Sequence, residues 1–127
     1  MNRYFNPPDL APPFGNYSQG VEITEAEKIV YVAGQVGVAS DGTVPRDFEQ
    51  QAEQAFCNVR GVLRAADLDV ENIVSTRTYL LSRDDIPGFR AARDRVFGEV
   101  KPAGTLLIVA GLAAPEWRIE IDAFAYG

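Results

Sequence analysis

The segment 28–36, KIVYVAGQV, is apolar at both sets of alternating positions, and this pattern constrains the fold more than any other. Its β-branched and aromatic residues predict a β-strand, in which successive side chains point to opposite faces of a sheet. The segment 105–112, TLLIVAGL, has the same two-sided pattern and is also predicted to be a strand. Both faces of these strands must therefore be covered by other protein groups.

Two amphipathic helices are predicted to cover one of those faces. Over 47–66, apolar side chains recur with the 3.6-residue period of a helix, and Asp47 and Gln50 have the spacing of a capping box. A second helix is predicted from about 84 to 99, because one proline falls in its first turn and another follows its last turn. Asp67 falls where a left-handed residue would end the first helix.

The element order is predicted to be ββ-α-β-α-ββ, with the remaining strands at 21–24, 72–81 and 118–126. Residues 1–20 hold half of the prolines and are predicted to form an extended arm that does not join a central strand. A short connection at 113–116 predicts a hairpin-like pairing of the last two strands. The chain is therefore predicted to be one α+β domain, 1–127, with a single mixed sheet and two helices on one face.

The last strand separates its side chains into an apolar and a polar face. Ile119, Ile121, Ala123 and Ala125 point towards the predicted helices, and the opposite face carries Arg118, Glu120, Asp122, Phe124 and Tyr126. A sheet with helices on one face only should be polar on the other face, but two of its strands are apolar there, so the helix-free face is predicted to pack against further copies of the chain. Glu120 and Asp122 would then lie near a subunit boundary, where partial burial makes a carboxylate a usable acid or base. The same alternation also fits an ordinary solvated strand face.

The composition excludes several classes of function. The chain has no histidine and one cysteine, so histidine-metal sites, Ser-His-Asp triads and disulfide bonds within the chain are excluded. Its net charge of −6, with no cluster of Lys and Arg, disfavours nucleic acid as a partner. No apolar run is long enough to span a membrane and the N-terminus has no signal-peptide core, so we expect a cytoplasmic protein without a membrane partner.

Six segments resemble the Rid (reactive intermediate deaminase) family in their order and spacing. They are NYSQG (16–20), VAGQV (32–36), NVRGVLRAADL (58–68), IVSTRTYL (73–80), KPAGT (101–105) and RIEIDAFA (118–125). The resemblance implies a chorismate-mutase-like fold and a homotrimer in which the helix-free faces meet, with clefts between the subunits. It also implies hydrolysis of enamines and imines, such as 2-aminoacrylate, to a 2-keto acid and ammonia without a cofactor or a metal.

The resemblance also implies roles for individual residues. Tyr17 matches a tyrosine of the arm that lies in the cleft, and Glu120 matches a last-strand glutamate that positions or activates water. Ala33 stands where members usually have Ser or Thr, so a hydroxyl is missing beside Gly34. Backbone N–H groups near Gly34 and Leu106 are expected to orient the substrate.

Gly104 is the main departure from the family pattern. In deaminating members this position, after the Pro-Ala pair, is an arginine that holds the substrate carboxylate through two parallel hydrogen bonds. Here Gly104 is followed by Thr105, and no neighbour replaces the arginine fork by default. The chain therefore resembles an Arg-lacking member, and 2-aminoacrylate is not expected to be its substrate.

Three other cations are candidates to replace that arginine: Arg93, Arg77 and Arg118. Arg93 lies on the second helix at the edge of its apolar stripe, where a solvated surface arginine is the alternative. For Arg77 the alternative is a salt bridge within the oligomer, and Arg118 is the weakest of the three candidates. Cys57 is expected to be an inert core thiol rather than a nucleophile, and Trp117 to pack rather than to line the cleft.

Two functions remain open for the clefts. The retained Tyr17 and Glu120 favour an enzyme that hydrolyses a small enamine or imine. The missing arginine at 104 and hydroxyl at 33 favour a trimer that binds a small apolar or aromatic molecule without turning it over. Ribonuclease activity, a label that some family members carry, is disfavoured by the acidic composition.

Overall fold

The computed structural model describes residues 1–127 as six strands and two helices, with two short 3-10 turns. The helices are α1 (Phe48–Ala65) and α2 (Ile86–Phe97). The strands are β1 (Asn2–Phe5), β2 (Gly20–Ile23), β3 (Ile29–Val36), β4 (Ile73–Leu80), β5 (Ala103–Ile108) and β6 (Ile119–Tyr126). The predicted α+β class, with two helices on a mixed sheet, is confirmed. None of the helices is long and apolar enough to cross a membrane.

The main sheet has the strand order β3-β6-β4-β5. β6 runs antiparallel to β3 and β4, whereas β4 and β5 are parallel. The predicted hairpin between the last two strands is therefore wrong, and β5 covers 103–108 rather than 105–112. Parallel neighbours need a crossover connection, which α2 provides between β4 and β5. The loop 109–118 then carries the chain back so that β6 lies between β3 and β4.

The arm contributes a strand that the sequence pattern did not predict. β1 pairs with β2 in a separate two-stranded antiparallel sheet, from Asn2 opposite Ile23 to Phe5 opposite Gly20. Gly20 allows the Phe5 ring to lie against the backbone of β2, because a Cβ at this position would lie 2.4 Å from Cζ of Phe5 and the ring would have to move. The arm does not join the central strands, as its prolines indicate.

Both helices pack on one face of the main sheet and enclose a single apolar core. Phe56 of α1 lies at its centre, with ring centroids 5.8 Å from Phe89 and 5.0 Å from Phe97 of α2. The sheet contributes the apolar face predicted for the last strand: Ile119, Ile121, Ala123 and Ala125 are all buried. Asp47 caps α1 by accepting a hydrogen bond from the backbone N–H of Gln50 at 3.0 Å. Asp67 has the predicted left-handed backbone, with φ of 60°.

The other face of the main sheet carries no helix, and we call it the open face. Its side chains follow from the strand register: Ile29, Tyr31, Ala33, Val36, Ser75, Arg77, Tyr79, Ala103, Thr105, Leu107, Glu120, Asp122, Phe124 and Tyr126. Several large apolar side chains are exposed on it, with Ile29 at 64%, Tyr31 at 51% and Leu107 at 46%. Tyr31 and Phe124 stack across β3 and β6 with their ring centroids 4.6 Å apart.

Candidate functional site

A cavity of about 290 Å³ lies between α2 and the β4–β5 side of the sheet, and we call it the α2 cavity. It is lined by two arginines, one aspartate, aromatic rings and threonine hydroxyls: Phe14, Gly15, Asn16, Tyr17, Thr76, Thr78, Phe89, Arg90, Arg93, Asp94, Pro102, Gly104, Thr105 and Leu106. Five of these were predicted as site residues: Tyr17, Arg93, Gly104, Thr105 and Leu106. A second, more open depression, on the open-face side of β5, shares Tyr17, Thr76, Gly104 and Thr105 with the first.

The arm forms one wall of the α2 cavity and is hydrogen-bonded both to α2 and to the residue before β5. The backbone N–H of Ser18 donates to the carbonyl of Pro102 at 3.0 Å, just before β5 begins. Arg90 of α2 donates through Nη2 to the carbonyl of Phe14 at 3.1 Å. Between these points the hydroxyl of Tyr17 accepts a hydrogen bond from the backbone N–H of Phe14 at 3.2 Å. The Tyr17 ring is therefore held against the cavity by both α2 and β5.

Arg93 is the most enclosed charged group of the cavity. It is only 7% exposed, so it is not the solvated surface arginine of the alternative interpretation. Its Nη2 donates to the carbonyl of Val100 at 2.8 Å, and Nη1 lies 3.3 Å from Oδ1 of Asp94. Burial lowers the pKa of the guanidinium, and Asp94 opposes that shift. The side chain is thus anchored at one edge while its remaining N–H groups donate to no group of the chain.

Gly104 leaves space on the strand side of the same cavity. A Cβ at this position would lie 3.5 Å from Cβ of Tyr17 and 3.6 Å from Oγ1 of Thr76, which are ordinary contact distances. A Cβ therefore fits here sterically, and the absence of a side chain opens the cavity beneath the Tyr17 ring.

Ala33 and Gly34 lie in a β-bulge of β3, away from this cavity. The bulge adds one residue between the pairs Val32–Ala123 and Gln35–Ile121. The partly buried Glu120 lies beside it, and a Cβ on Gly34 would be only 2.1 Å from Glu120 Oε2. The bare backbone at Gly34 is therefore what allows the Glu120 carboxylate to lie against β3.

A second acidic group on the open face was not predicted to form a cluster. Asp122 is 5% exposed and accepts hydrogen bonds from Arg77 Nε at 2.9 Å and from the Tyr79 hydroxyl at 3.1 Å. The bond to Asp122 raises the pKa of Arg77, and burial together with Asp122 raises the pKa of Tyr79. Arg77 is thus committed to an ion pair inside one chain, rather than free to bind an anionic ligand.

Three further candidates are placed outside the cavity. Arg118 donates to Oδ1 of Asp85 at 2.9 Å and stacks over the Phe48 ring at 5.1 Å, so it belongs to the helix layer and not to the open face. Cys57 is exposed on α1, so its prediction as a core thiol is wrong; partial burial and Glu53 raise its pKa. Trp117 lines neither depression.

Within one chain the predicted site residues form two separate groups. Tyr17, Arg93 and Gly104 line the α2 cavity, whereas Gly34 and Glu120 line neither depression. The strand order explains the separation, because β4 lies between β6, which carries Glu120, and β5, which carries Gly104.

Sequence reasoning did not identify several cavity residues, of which Arg90 and Asp94 carry charge. Their spacing could have indicated this, because positions 90, 93 and 94 fall on one face of a helix. If Arg93 points towards the sheet, Arg90 and Asp94 must lie on the same side of the helix. The contributions of Thr76 and Thr78 depend on the pairing of β4 with β5, which local patterns did not reveal.

Comparisons with known proteins agree with this architecture over nearly the whole chain. A family model described as endoribonuclease L-PSP matches residues 9–127. The mouse protein 2-iminobutanoate/2-iminopropanoate deaminase is 33% identical over 113 residues, covering 87% of this chain and 81% of the mouse protein. The Rid-family protein YyfB of unknown function from Yersinia pestis has a TM-score of 0.88 at 31% identity, covering 99% of this chain and 98% of that chain. Escherichia coli TdcF, solved with bound serine, has a TM-score of 0.75 at 25% identity, with 98% of each chain covered. The chain therefore belongs to the Rid family.

Proposed function

We propose that the protein is a cofactor-independent hydrolase that converts a small imine or enamine into a carbonyl compound and ammonia, at clefts between three copies of the chain. The observation that carries the proposal is the placement of Glu120, whose carboxylate lies against the bare backbone of Gly34 in a bulged strand. Bulges are over-represented beside active sites, where they redirect a side chain. The mouse relative, named as an imine deaminase, supports the same class of chemistry.

Glu120 has one task in each of two steps. In the first step water adds to the imine carbon: a C–O bond forms, the π pair moves onto nitrogen, and Glu120 carries one proton from the water to that nitrogen. In the second step the C–N bond of the carbinolamine breaks and the C=O bond forms. Glu120 then carries the hydroxyl proton to the departing nitrogen, which leaves as ammonia. An enamine joins this route once its β-carbon has been protonated to give the imine.

Each cleft would combine the two groups of residues from neighbouring copies. One copy would supply the α2 cavity and the other the catalytic Glu120, with these residues in contact with the substrate: Tyr17, Arg93, Gly104, Thr105 and Leu106 from the first copy, and Ala33 and Gly34 from the second. The exposed apolar side chains of the open face support this assembly, because Ile29, Tyr31 and Phe124 would be buried between copies.

The substrate is expected to differ from 2-aminoacrylate. In the family pattern that the sequence resembles, a strand arginine holds the substrate carboxylate, and this chain has Gly104 at that position. The loss of two charge-assisted hydrogen bonds weakens binding of such a small acid by about tenfold or more.

Ammonia release tests the proposed reaction. An amino-acid oxidase generates imines in situ from a panel of amino acids, in the presence of the purified protein. The rate at which ammonia and the carbonyl product form is then compared with the uncatalysed rate. We expect acceleration for at least one imine, and a loss of about 100-fold or more in Glu120→Gln, because the proton carrier is removed. Asp122→Asn, on the same strand and face, is the matched control for loss of a carboxylate. Absence of acceleration across the panel by a folded oligomer would contradict the proposal.

Mixing two inactive variants tests whether the clefts are shared between copies. Glu120→Gln and Tyr17→Ala affect opposite halves of the cleft. In trimers re-formed from an equal mixture, about a quarter of the clefts would receive both intact halves. Activity should therefore reappear in the mixture and not in either variant alone, and no recovery in verified mixed trimers would rule out a shared cleft.

A second function, binding without turnover, is favoured by the family pattern that the sequence resembles, in which a hydroxyl and an arginine stand where this chain has Ala33 and Gly104. A ligand that raises the melting temperature and is recovered unchanged, with no imine hydrolysed, would favour this function. RNA is not an expected partner for a chain of net charge −6, and filter binding at low salt should retain none.

A further inference from the structure

The α2 cavity has its positive charge on the helix side and its open space on the strand side. We infer that it takes 2-imino acids with a bulky aromatic or branched apolar side chain, with the carboxylate held by Arg93 and the side chain lying over Gly104. The inference rests on the proposed function for the identity of the reacting imine, and on the cavity alone for the size and charge of the ligand.

The charge of the cavity favours an anionic ligand. Its lining contains Arg90 and Arg93 against one acid, Asp94, although the chain as a whole has a net charge of −6. Asp94 is also shared, because it accepts a hydrogen bond from Asn16 Nδ2 at 3.2 Å and lies 3.3 Å from Arg93. The local positive charge is therefore only partly neutralised inside an otherwise acidic protein.

Arg93 has the geometry to bind a carboxylate. Its side chain is fixed by the bond to the Val100 carbonyl and lies with its Cζ atom 5.8 Å from the centre of the Phe97 ring. A guanidinium has five N–H donors in a planar fork, and the bonds to Val100 and Asp94 leave the others available to the cavity. Burial makes the charge-assisted bonds stronger than they would be on the surface.

The size and lining of the cavity favour a large apolar substituent. A cavity of about 150 Å³ already holds a benzene ring. The α2 cavity, at about 290 Å³, has room for such a ring together with a short acid. Its walls include Phe14, Tyr17 and Phe89, and the absence of a side chain at Gly104 keeps the strand side open.

Calorimetric titration of the intact oligomer tests the ligand class without turnover. The probes are phenylpyruvate, which has both features, pyruvate, which lacks the ring, and 1-phenylpropan-2-one, which lacks the carboxylate. We expect phenylpyruvate to bind about tenfold or more tightly than either of the others. Pyruvate or the neutral ketone binding as tightly as phenylpyruvate would overturn the inference.

Two variants separate the two features. Arg93→Gln should weaken the binding of phenylpyruvate by about tenfold or more and leave the affinity for the neutral ketone unchanged. Arg95→Gln is the matched control: it removes the same charge from the same helix, but Arg95 is exposed, pairs with Glu49 and Glu53, and does not line the cavity. Equal losses in Arg93→Gln and Arg95→Gln would contradict a role for Arg93.

Gly104→Val provides the second variant and keeps the test decisive if Arg93→Gln does not fold. The added Cβ lies at ordinary contact distances and valine favours a strand, so the fold should be retained while the γ-methyl groups fill the cavity beneath Tyr17. We expect the preference for phenylpyruvate over pyruvate to fall by about tenfold. An unchanged preference would refute the side-chain position. Because no probe is hydrolysed, failure of the ammonia assay with success of these titrations would remove the proposed reaction and leave the ligand class in place.

Discussion

Replacing Gly34 by Ala should remove activity while leaving stability nearly unchanged. The new Cβ would lie 2.1 Å from Oε2 and 2.9 Å from Cδ of Glu120. Gly34 is not among the residues with positive φ, so an alanine backbone is unstrained there. The conflict is therefore relieved by movement of the flexible carboxylate, by about 1 Å or more, and a displacement of this size costs about 100-fold in rate.

Gly37→Ala is the matched comparison, three positions along the same segment. Here the added Cβ would lie 2.3 Å from the backbone carbonyl oxygen of Gln51 in α1, which cannot turn away as a side chain can. Overpacking of this kind costs about 1–3 kcal/mol, or a decrease in melting temperature of very roughly 4–12 °C for a chain of this size. Gly34→Ala should lower it by no more than about 4 °C, since only a side-chain end moves.

The two variants are compared at one protein concentration, because the melting temperature of an oligomer depends on it. Ammonia release from the best imine of the panel gives kcat/KM, and thermal unfolding followed by circular dichroism gives stability. Full activity in Gly34→Ala would refute the argument that Glu120 acts from its position against β3. Equal destabilisation by both variants would refute the distinction between the movable Glu120 side chain beside Gly34 and the fixed Gln51 backbone beside Gly37.

Three further predictions concern stability. The hydrogen bond from Arg60 holds the pKa of Asp69 down, from 3.8 to about 2, so this carboxylate stabilises the fold above pH 4 and the contribution is lost as the pH falls towards 2. In urea titrations, Asp69→Asn should therefore lower the free energy of unfolding by about 1 kcal/mol at pH 7 and by almost nothing at pH 2. The same difference between variant and parent at both pH values would contradict this. Phe56→Ala, at a buried position between two rings, should cost about 3–5 kcal/mol in the same assay, and a loss below about 1 kcal/mol would count against its central place in the core. Gly61→Ala, on α1 with no atom within 4 Å of the added Cβ, should stabilise by about 0.5–1 kcal/mol, and a lower melting temperature would disprove an open position.

The elements governed by local periodicity were predictable from the sequence. The first helix was predicted at 47–66 and is found at Phe48–Ala65, and the cap at Asp47 and the left-handed Asp67 are both confirmed. The apolar face of the last strand is also buried under the helices as its alternation indicated. In each case neighbours in sequence decide the outcome.

Features decided by distant pairing were not predictable in the same way. The parallel contact of β4 with β5 depends on the path of α2, and it overturned a hairpin suggested only by a short connection. β1 is four residues long and pairs with β2 at the far end of the arm, so the residues of β1 alone do not indicate a strand. The cluster around Asp122 likewise requires the register that places Arg77 opposite it. The burial of Arg93 was not predictable, because charged residues at the edge of a helix's apolar stripe are usually solvated.

The α2 cavity lies within one contiguous supersecondary unit, since β4, α2 and β5 form a single crossover closed by residues of the arm. Such units often open cooperatively, as a single unit. An occupant adds its binding free energy to the cost of that opening. When a ligand occupies the α2 cavity, amide hydrogen exchange should therefore slow most across residues 73–108. Protection of this segment would reveal a bound compound even if the protein does not convert it.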